Sequence, residues 1–311
     1  MSLCLFTLLL ACPSADDGHD DPVEAMTPQP PCARWNPAEV EALVQDEDLT
    51  EISGLVLSRA NPGVAWVHED SASGPLLTAL GPSGDTVATL LLDGASAADW
   101  EDLALGACGD DRPSPAAGGP WCLVMADIGD NVNGRPWVTL LRVDEPSIDP
   151  AATEQVDLTA VAESFRGTYP QGSQNAEALV LEPDGTPVVI TKRTDGVARL
   201  YRMPTVEAEP PRSATLIATT TIGSDGGLID TVTGADLTLD GTRLLIRTYT
   251  DAYLYDLGAD GLEGIEPSQQ RALAVADEPQ GEAIAWSRDE RDILHVSEGS
   301  EPPLYRLTCR D

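Results

Sequence analysis

Short stretches in which apolar and polar residues alternate recur along most of the chain. One pattern begins five times, as SGLVLS at Ser53, EDLALG at Glu101, EALVLE at Glu177, ADLTLD at Ala235 and EAIAWS at Glu282. A period of two is typical of β-strands, and turn-forming segments such as RANPG and EPDGT follow most copies. A second and a third alternating stretch then complete each unit, for example VVITKRTD and ARLYRM after EALVLE.

Looser fourth strands complete four of these units. We predict them at TVATLLL from Thr86, EQVDL from Glu154, SATLIATTTI from Ser213 and RALAVA from Arg271. Four antiparallel strands repeated about every 50 residues indicate β-propeller blades. The fifth unit has no fourth strand of its own, and residues 39–46 can supply it and close the ring without a free edge. The sequence therefore predicts an all-β, five-bladed propeller. Six blades would require an irregular blade within residues 144–175.

The first residues predict export and anchoring. Residues 3–11 form an apolar run that is too short to span a bilayer as a helix. Leu9-Leu10-Ala11-Cys12 resembles a lipobox, in which Cys12 would be lipidated. We divide the chain into a signal peptide (1–11), an acidic, Pro-rich tether (12–31) and the propeller (32–311), with secretion without a lipid as the alternative. We expect a monomer in the cell envelope, at the outer membrane.

Four cysteines remain beyond the predicted signal and lipid site, at 32, 108, 122 and 309. An even number in an exported chain predicts disulfides. Cys108 and Cys122 lie at one end of a predicted hairpin, and Cys32 precedes the strand that closes the ring beside Cys309. The predicted bridges are therefore Cys108–Cys122 and Cys32–Cys309.

The charge of the chain limits its partners. It has 52 acidic and 18 basic side chains and a formal net charge of -34. Such a surface repels phosphate backbones, so we expect no nucleic acid partner and a membrane contact through the lipid anchor only. The same charge favours solubility and the binding of cations.

Acidic residues recur where the chain enters the first strand of a blade. In a propeller these loops share one face with the loops that leave the second strands, so equivalent residues should meet near the axis. Carboxylates that close need a cation or shared protons, and oxygen ligands suit Ca²⁺. The predicted metal ligands are Glu101, Asp102, Asp127, Asp130, Glu177 and Glu282. The predicted anion- or ligand-binding residues are His68, Asp70, Lys192, Arg193, Arg247 and Glu298. Hydrogen bonding within the fold, without any metal, is the alternative.

Several of these segments together resemble a group of largely uncharacterised secreted bacterial propeller proteins. The segments are DWEDLA from Asp99, ADIGDN from Ala126, NAEAL from Asn175, TKR from Thr191, GAD from Gly234, RTY from Arg247 and GEAIA from Gly281. The resemblance implies the fold and no settled activity. The acidic loops are also distantly similar to phytase-like, calcium-dependent propellers, which would imply calcium held by carboxylates and a phosphate ester held by basic side chains.

Three functions follow from these patterns. The first is a calcium-binding propeller that acts as a module for a ligand or protein partner. The second is a calcium-dependent phosphoesterase that acts on a small phosphate ester. In it Glu101, Glu177 and Glu282 would hold the calcium, and Lys192, Arg193 and Arg247 would receive the phosphate. The third is a glycoside hydrolase with paired carboxylates. The chain contains no G-x-S-x-G, P-loop, G-x-G-x-x-G or C-x-x-C motif that would point to other chemistry.

Overall fold

Five β-sheets surround a common axis in the computed structural model, which describes residues 32–70, 74–109, 112–150, 154–223 and 231–310. The strands are β1 Glu39–Leu43, β2 Ile52–Leu57, β3 Ala65–Glu69, β4 Leu76–Leu80, β5 Thr86–Leu92, β6 Trp100–Ala107, β7 Trp121–Asp127, β8 Val138–Asp144, β9 Val156–Ala160, β10 Glu163–Thr168, β11 Ala176–Leu181, β12 Pro187–Thr191, β13 Val197–Arg202, β14 Arg212–Ser213, β15 Thr215–Thr221, β16 Val232–Leu237, β17 Arg243–Thr248, β18 Ala252–Asp256, β19 Gln270–Leu273, β20 Gly281–Trp286, β21 Ile293–Ser297 and β22 Pro303–Leu307. Short 3-10 helices cover Pro115–Ala117, Gly261–Gly264 and Pro267–Gln269.

Each sheet is one blade, and its four principal strands are antiparallel. The blades follow in chain order as β2-β3-β4-β5, β6-β7-β8-β10, β11-β12-β13-β15, β16-β17-β18-β19 and β20-β21-β22-β1. The first strands β2, β6, β11, β16 and β20 contact one another around the axis. The five-bladed propeller is therefore confirmed.

The alternating pattern of each first strand serves two interfaces at once. In β11, Ala178 and Val180 pack in the core shared with blade four, whereas Leu179 and Leu181 pack in the core shared with blade two. Successive side chains of a strand point to opposite faces, so one strand supplies both cores. Each of the five hydrophobic clusters fills the space between two neighbouring blades.

The N-terminal strand closes the ring as predicted. β1 pairs antiparallel with β22 and becomes the outer strand of blade five. The Cys32–Cys309 disulfide fastens the same two chain ends across a separation of 277 residues. The second predicted bridge, Cys108–Cys122, joins the hairpin of blade two. Both predicted disulfides are confirmed.

One predicted strand was assigned to the wrong blade. The segment EQVDL does not form the fourth strand of blade two; β9 pairs parallel with β5 as an additional outer strand of blade one. Leu158 and Ala160 of β9 pack against the core between blades one and two. The fourth strand of blade two is β10, whose Phe165 is buried between blades two and three. Because β9 and β10 extend existing blades, the described residues between 144 and 175 do not form a sixth.

Candidate functional site

Every first strand contains a β-bulge at the same position. The register against the second strand shifts between Ile52 and Gly54 in blade one, and the other four blades shift at the equivalent place. A bulge inserts one extra residue and redirects its side chain. The inserted residues are Ser53, Glu101, Glu177, Thr233 and Glu282.

The two hydroxyl residues of this set hold neighbouring bulges together. Ser53 Oγ donates to the carbonyl of Glu101 at 2.6 Å, and Thr233 Oγ1 donates to the carbonyl of Gly281 at 2.8 Å. The three glutamates carry the charge, and each is only 4% exposed. With the residues that surround them they form what we call the mouth cluster. Its members are Asp70, Asp99, Glu101, Glu177, Lys192, Tyr249, Glu282 and Glu298.

Glu101 and Glu177 lie in direct contact. Each carboxyl group influences the pKa of the other, and two buried carboxyl groups this close favour a state in which one of them is protonated. Burial and then the neighbouring carboxylates raise the pKa of Glu101. Burial also raises the pKa of Glu177, although the Lys192 ammonium opposes this.

Lys192 is the only lysine of the chain, and it lies among these carboxylates. Its Nζ is 2.9 Å from Glu177 Oε2 and donates to the Tyr249 hydroxyl at 2.7 Å. Burial alone would lower the pKa of Lys192, but its ion pair with Glu177 and its hydrogen bonds outweigh burial and raise it. Lys192 is therefore a fixed cation and not a neutral nucleophile.

Asp70, Asp99 and Glu101 form a compact group of carboxylates. One carboxylate oxygen from each lies within 4.8 Å of those from the other two. Burial and the adjacent Asp99 raise the pKa of Asp70 to about 7, and burial raises that of Asp99. Asp70 Oδ1 is buried without a hydrogen-bond partner among the described residues. This group has the oxygen atoms and the unsatisfied charge that a metal ion would neutralise.

Gly129 makes this close approach sterically feasible. A Cβ atom at this position would lie 2.0 Å from Glu101 Oε1 and 2.4 Å from Asp99 Oδ2. Only glycine leaves room for both carboxylates, which explains the glycine in the DIGDN segment.

Glu282 and Glu298 complete the cluster on blade five. Burial, followed by the other carboxylates and despite Lys192, raises the pKa of Glu282 to about 9. Glu282 Oε2 has no partner within the part of the chain that the structure describes. Glu298 accepts a hydrogen bond from Gln280 Nε2 at 2.7 Å, and burial raises its pKa.

The other predicted metal ligands have structural partners. Asp102 accepts from its neighbour Leu103 and reaches across the axis to the backbone amides of Leu179 (2.8 Å) and Ala235 (3.3 Å), in blades three and four. Asp127 accepts from Arg135 Nη1 at 2.7 Å. Asp130 accepts from the backbone amides of Gly134 and Arg135. Asp102 therefore links the first strands of neighbouring blades near the axis, and Asp127 and Asp130 hold the loop after β7.

Two of the predicted ligand-binding residues are enclosed. His68 is 1% exposed, and burial lowers its pKa to about 4, so it is neutral. Arg247 is completely buried and pairs with Glu278 at 2.6 Å. His295 contacts the same carboxylate oxygen at 2.7 Å. Arg247 is thus enclosed, whereas the side chains of Lys192 and Arg193 are partly exposed.

A pocket of about 320 Å³ adjoins the mouth cluster. Lys192 and Asn175 line it, and both also contact Glu177, so the pocket and the cluster share a wall. Its lining residues are Asn131, Asn133, Gln174, Asn175, Lys192, Arg193, Thr194, Asp195 and Thr231. Arg193 is held by both carboxylate oxygens of Asp195.

Sequence reasoning missed three parts of this site: Asp99 as a partner of Asp70 and Glu101, Tyr249 as a partner of Lys192, and the amide-rich pocket. Asp99 lies two residues before Glu101, the inserted residue of the bulge in blade two, so knowledge of the bulge would have indicated it. The anchoring residues, Cys12 and segments 1–11 and 12–31, lie outside the described residues. Among the residues that the structure describes, no helix is long and apolar enough to cross a membrane.

Comparison with known proteins supports the fold. No family profile and no curated protein sequence matches this chain. The PQQ-bound form of aldose sugar dehydrogenase (Adh) from Streptomyces coelicolor is similar in structure, with a TM-score of 0.50 and 11% sequence identity. The similarity covers 90% of this chain and 99% of that one. At this level of identity it shows the propeller architecture alone.

Proposed function

We propose that the mouth cluster binds a divalent cation through Asp70, Asp99 and Glu101, and that the propeller is a cation-dependent binding module. The observation that carries this proposal is the convergence of three carboxylate oxygens within 4.8 Å beside a glycine that leaves them room. Carboxylates held together in a buried place repel one another unless a proton or a cation lies between them.

The donor set favours Ca²⁺. All three groups offer oxygen, and calcium takes six to eight oxygen ligands with flexible geometry. His68 Nδ1 donates to the Glu69 carbonyl at 3.0 Å, and no histidine nitrogen or cysteine sulfur belongs to the group of Asp70, Asp99 and Glu101, whereas zinc sites usually contain such ligands. Water and the bound partner would supply the remaining ligands.

Thermal unfolding tests the cation site. Calcium at a hundredfold above its Kd should stabilise the native chain by about 2.7 kcal/mol over the same chain in EDTA. Gly129→Ala should remove this response, because its Cβ would displace Glu101 and Asp99. Glu47→Gln, which removes an exposed carboxylate, is the matched control and should respond like the native chain. Equal melting in calcium and EDTA for the native chain would refute the proposal.

Phosphoester hydrolysis is a second candidate, because Lys192 and Arg193 line the pocket beside the mouth cluster, although a phosphate would compete with Glu177 and Asp195 for them. Turnover of p-nitrophenyl phosphate, a phosphodiester or a nucleotide that depends on calcium and is lost in Gly129→Ala would support it. Glycoside hydrolysis by two carboxylates of the mouth cluster stays a third prediction.

We further propose export and lipid anchoring through Cys12, with the outer membrane as the destination. Two disulfides support an oxidising compartment. Metabolic labelling with a radioactive fatty acid should mark the native chain and not Cys12→Ser. Equal labelling of both would refute anchoring at this residue.

A further inference from the structure

The pocket beside the mouth cluster has a preorganised wall. Both oxygens of the Asp130 carboxylate accept backbone amides of the loop that follows, from Gly134 at 2.7 Å and Arg135 at 2.8 Å. Asn133 in this loop has a φ of 51°, a left-handed conformation that asparagine tolerates better than most residues. The loop is thus closed on itself, and it presents Asn131 and Asn133 to the pocket.

The amide of Asn175 is oriented by the same loop. Its Oδ1 accepts from the Asp130 backbone amide at 2.7 Å, which directs Nδ2 towards Asn131 Oδ1 (3.1 Å) and Glu177 Oε1 (3.3 Å). The Gln174 side chain is likewise held, since its Oε1 accepts from Arg199 Nη1 at 2.9 Å. Fixed amides offer donors and acceptors side by side at little entropic cost on binding.

The charges of the pocket are already paired within the protein. Lys192 is neutralised by Glu177, and Arg193 is neutralised by Asp195. A phosphate would have to compete with both carboxylates for these cations, next to a strongly acidic cluster. A neutral ligand carries no such cost, and its hydroxyl groups can both donate and accept.

We infer that this pocket binds a neutral, hydroxyl-rich ligand, a sugar unit, through the side chains of Asn131, Asn133 and Thr194. This assigns the ligand class of the binding module proposed above and rests on that proposal. The volume of about 320 Å³ lies at the lower end of the range of small-molecule pockets, about 300–1,000 Å³. Four amide side chains and two threonines line it, and among the residues that the structure describes no aliphatic or aromatic side chain does. Hydrogen-bonding groups are therefore numerous in its lining and suit the hydroxyl groups of a sugar.

Titration of the full chain with defined probes tests this inference. The probes are methyl glucoside, methyl galactoside, N-acetylglucosamine and maltose, with inorganic phosphate and a short neutral peptide for comparison. Binding is measured by calorimetry and saturation-transfer NMR, in calcium and in EDTA. At least one sugar should bind saturably, with neither phosphate nor peptide competing.

Two substitutions remove pocket groups with little strain. Asn133→Gly keeps the left-handed backbone and deletes the amide, and Thr194→Val is nearly isosteric. Together they should weaken sugar binding at least tenfold, because each removes a hydrogen bond. Gln45→Ala, an exposed amide on another blade, is the control and should leave binding unchanged. Melting curves of all variants establish that each is folded.

The possible outcomes separate the two proposals. A chain that binds none of the sugars, binds phosphate or peptide in their place, or binds sugar equally well in the double variant overturns the inference, even where calcium still raises its Tm. Sugar binding that persists in EDTA, in a chain without any calcium response, supports the pocket and refutes the cation site.

Discussion

Glu282→Gln should stabilise the protein at alkaline pH and leave it almost unchanged at acidic pH. Glu282 is 4% exposed, lies near other carboxylates and has one oxygen without a partner among the described residues. In the folded chain its pKa is raised from 4.5 to about 9, first by burial. Glutamine keeps the size and the hydrogen-bonding capacity of the protonated acid but cannot ionise.

The sign of the effect follows from linkage. The folded pKa lies above the unfolded one, so the contribution of Glu282 to stability is complete below about pH 4.5 and declines as the pH rises towards 9. At pH 8 the unfolded chain has released this proton and the folded chain still holds it. At about 1.36 kcal/mol per pH unit, the loss of folding free energy caused by Glu282 at pH 8 has an upper limit of about 4–5 kcal/mol.

Denaturant unfolding in EDTA measures this difference. At pH 8 the free energy of unfolding of Glu282→Gln should exceed that of the native chain by up to this amount. At pH 4 the two free energies should agree within about 0.5 kcal/mol. Glu47→Gln, at an exposed position, should match the native chain at both values. A Glu282→Gln chain that is less stable than the native one at pH 8, or equally changed at pH 4 and pH 8, would show that Glu282 is stabilised as an anion and refute the reasoning.

Two further substitutions test the framework around the site. Asp102→Ala leaves backbone amides of three blades without their acceptor, so it should cost about 3 kcal/mol or more in denaturant unfolding, and Asp102→Asn should cost less; equal stability of all three chains would contradict this role. Replacing Cys32 and Cys309 by serine opens a loop of 277 residues and should cost roughly 5 kcal/mol, against roughly 3 kcal/mol for the 14-residue separation of Cys108 and Cys122. The reverse order would argue against ring closure by the longer bridge.

The blades could be predicted because period-two alternation is local, whereas the outer strands could not all be assigned. The segments of β9 and β10 both alternate, and both begin within 20 residues of the end of β8. Which of them joins blade two depends on pairing with strands far apart in sequence: Val156 lies beside Ala88, and Phe165 beside Leu140. Sequence alone offers two equivalent candidates, and the packing of Phe165 between blades two and three decides between them.

The site shows the same limit at the level of single residues. Glu101 and Asp102 are adjacent acids, and the sequence predicted the same role for both. The bulge turns Glu101 towards the mouth cluster, whereas Asp102 accepts hydrogen bonds from backbone amides across the axis. A strictly alternating pattern does not predict this difference. A bulge shifts the register by one residue and therefore changes the face of the sheet to which each side chain points.

The repeated bulge also suggests why the acidic residues are placed where they are. All five blades have the bulge, yet the inserted residue is a small hydroxyl in two and a glutamate in three. Ser53 and Thr233 occupy the inserted position and each donates one hydrogen bond to a carbonyl of the next blade. The fold therefore does not require acids at this position, and buried carboxylates at the other three lower stability at neutral pH. Carboxylates that cost stability and leave oxygen atoms without partners are expected where a ligand supplies the missing charge, which is the basis for assigning the function of this propeller to its mouth cluster.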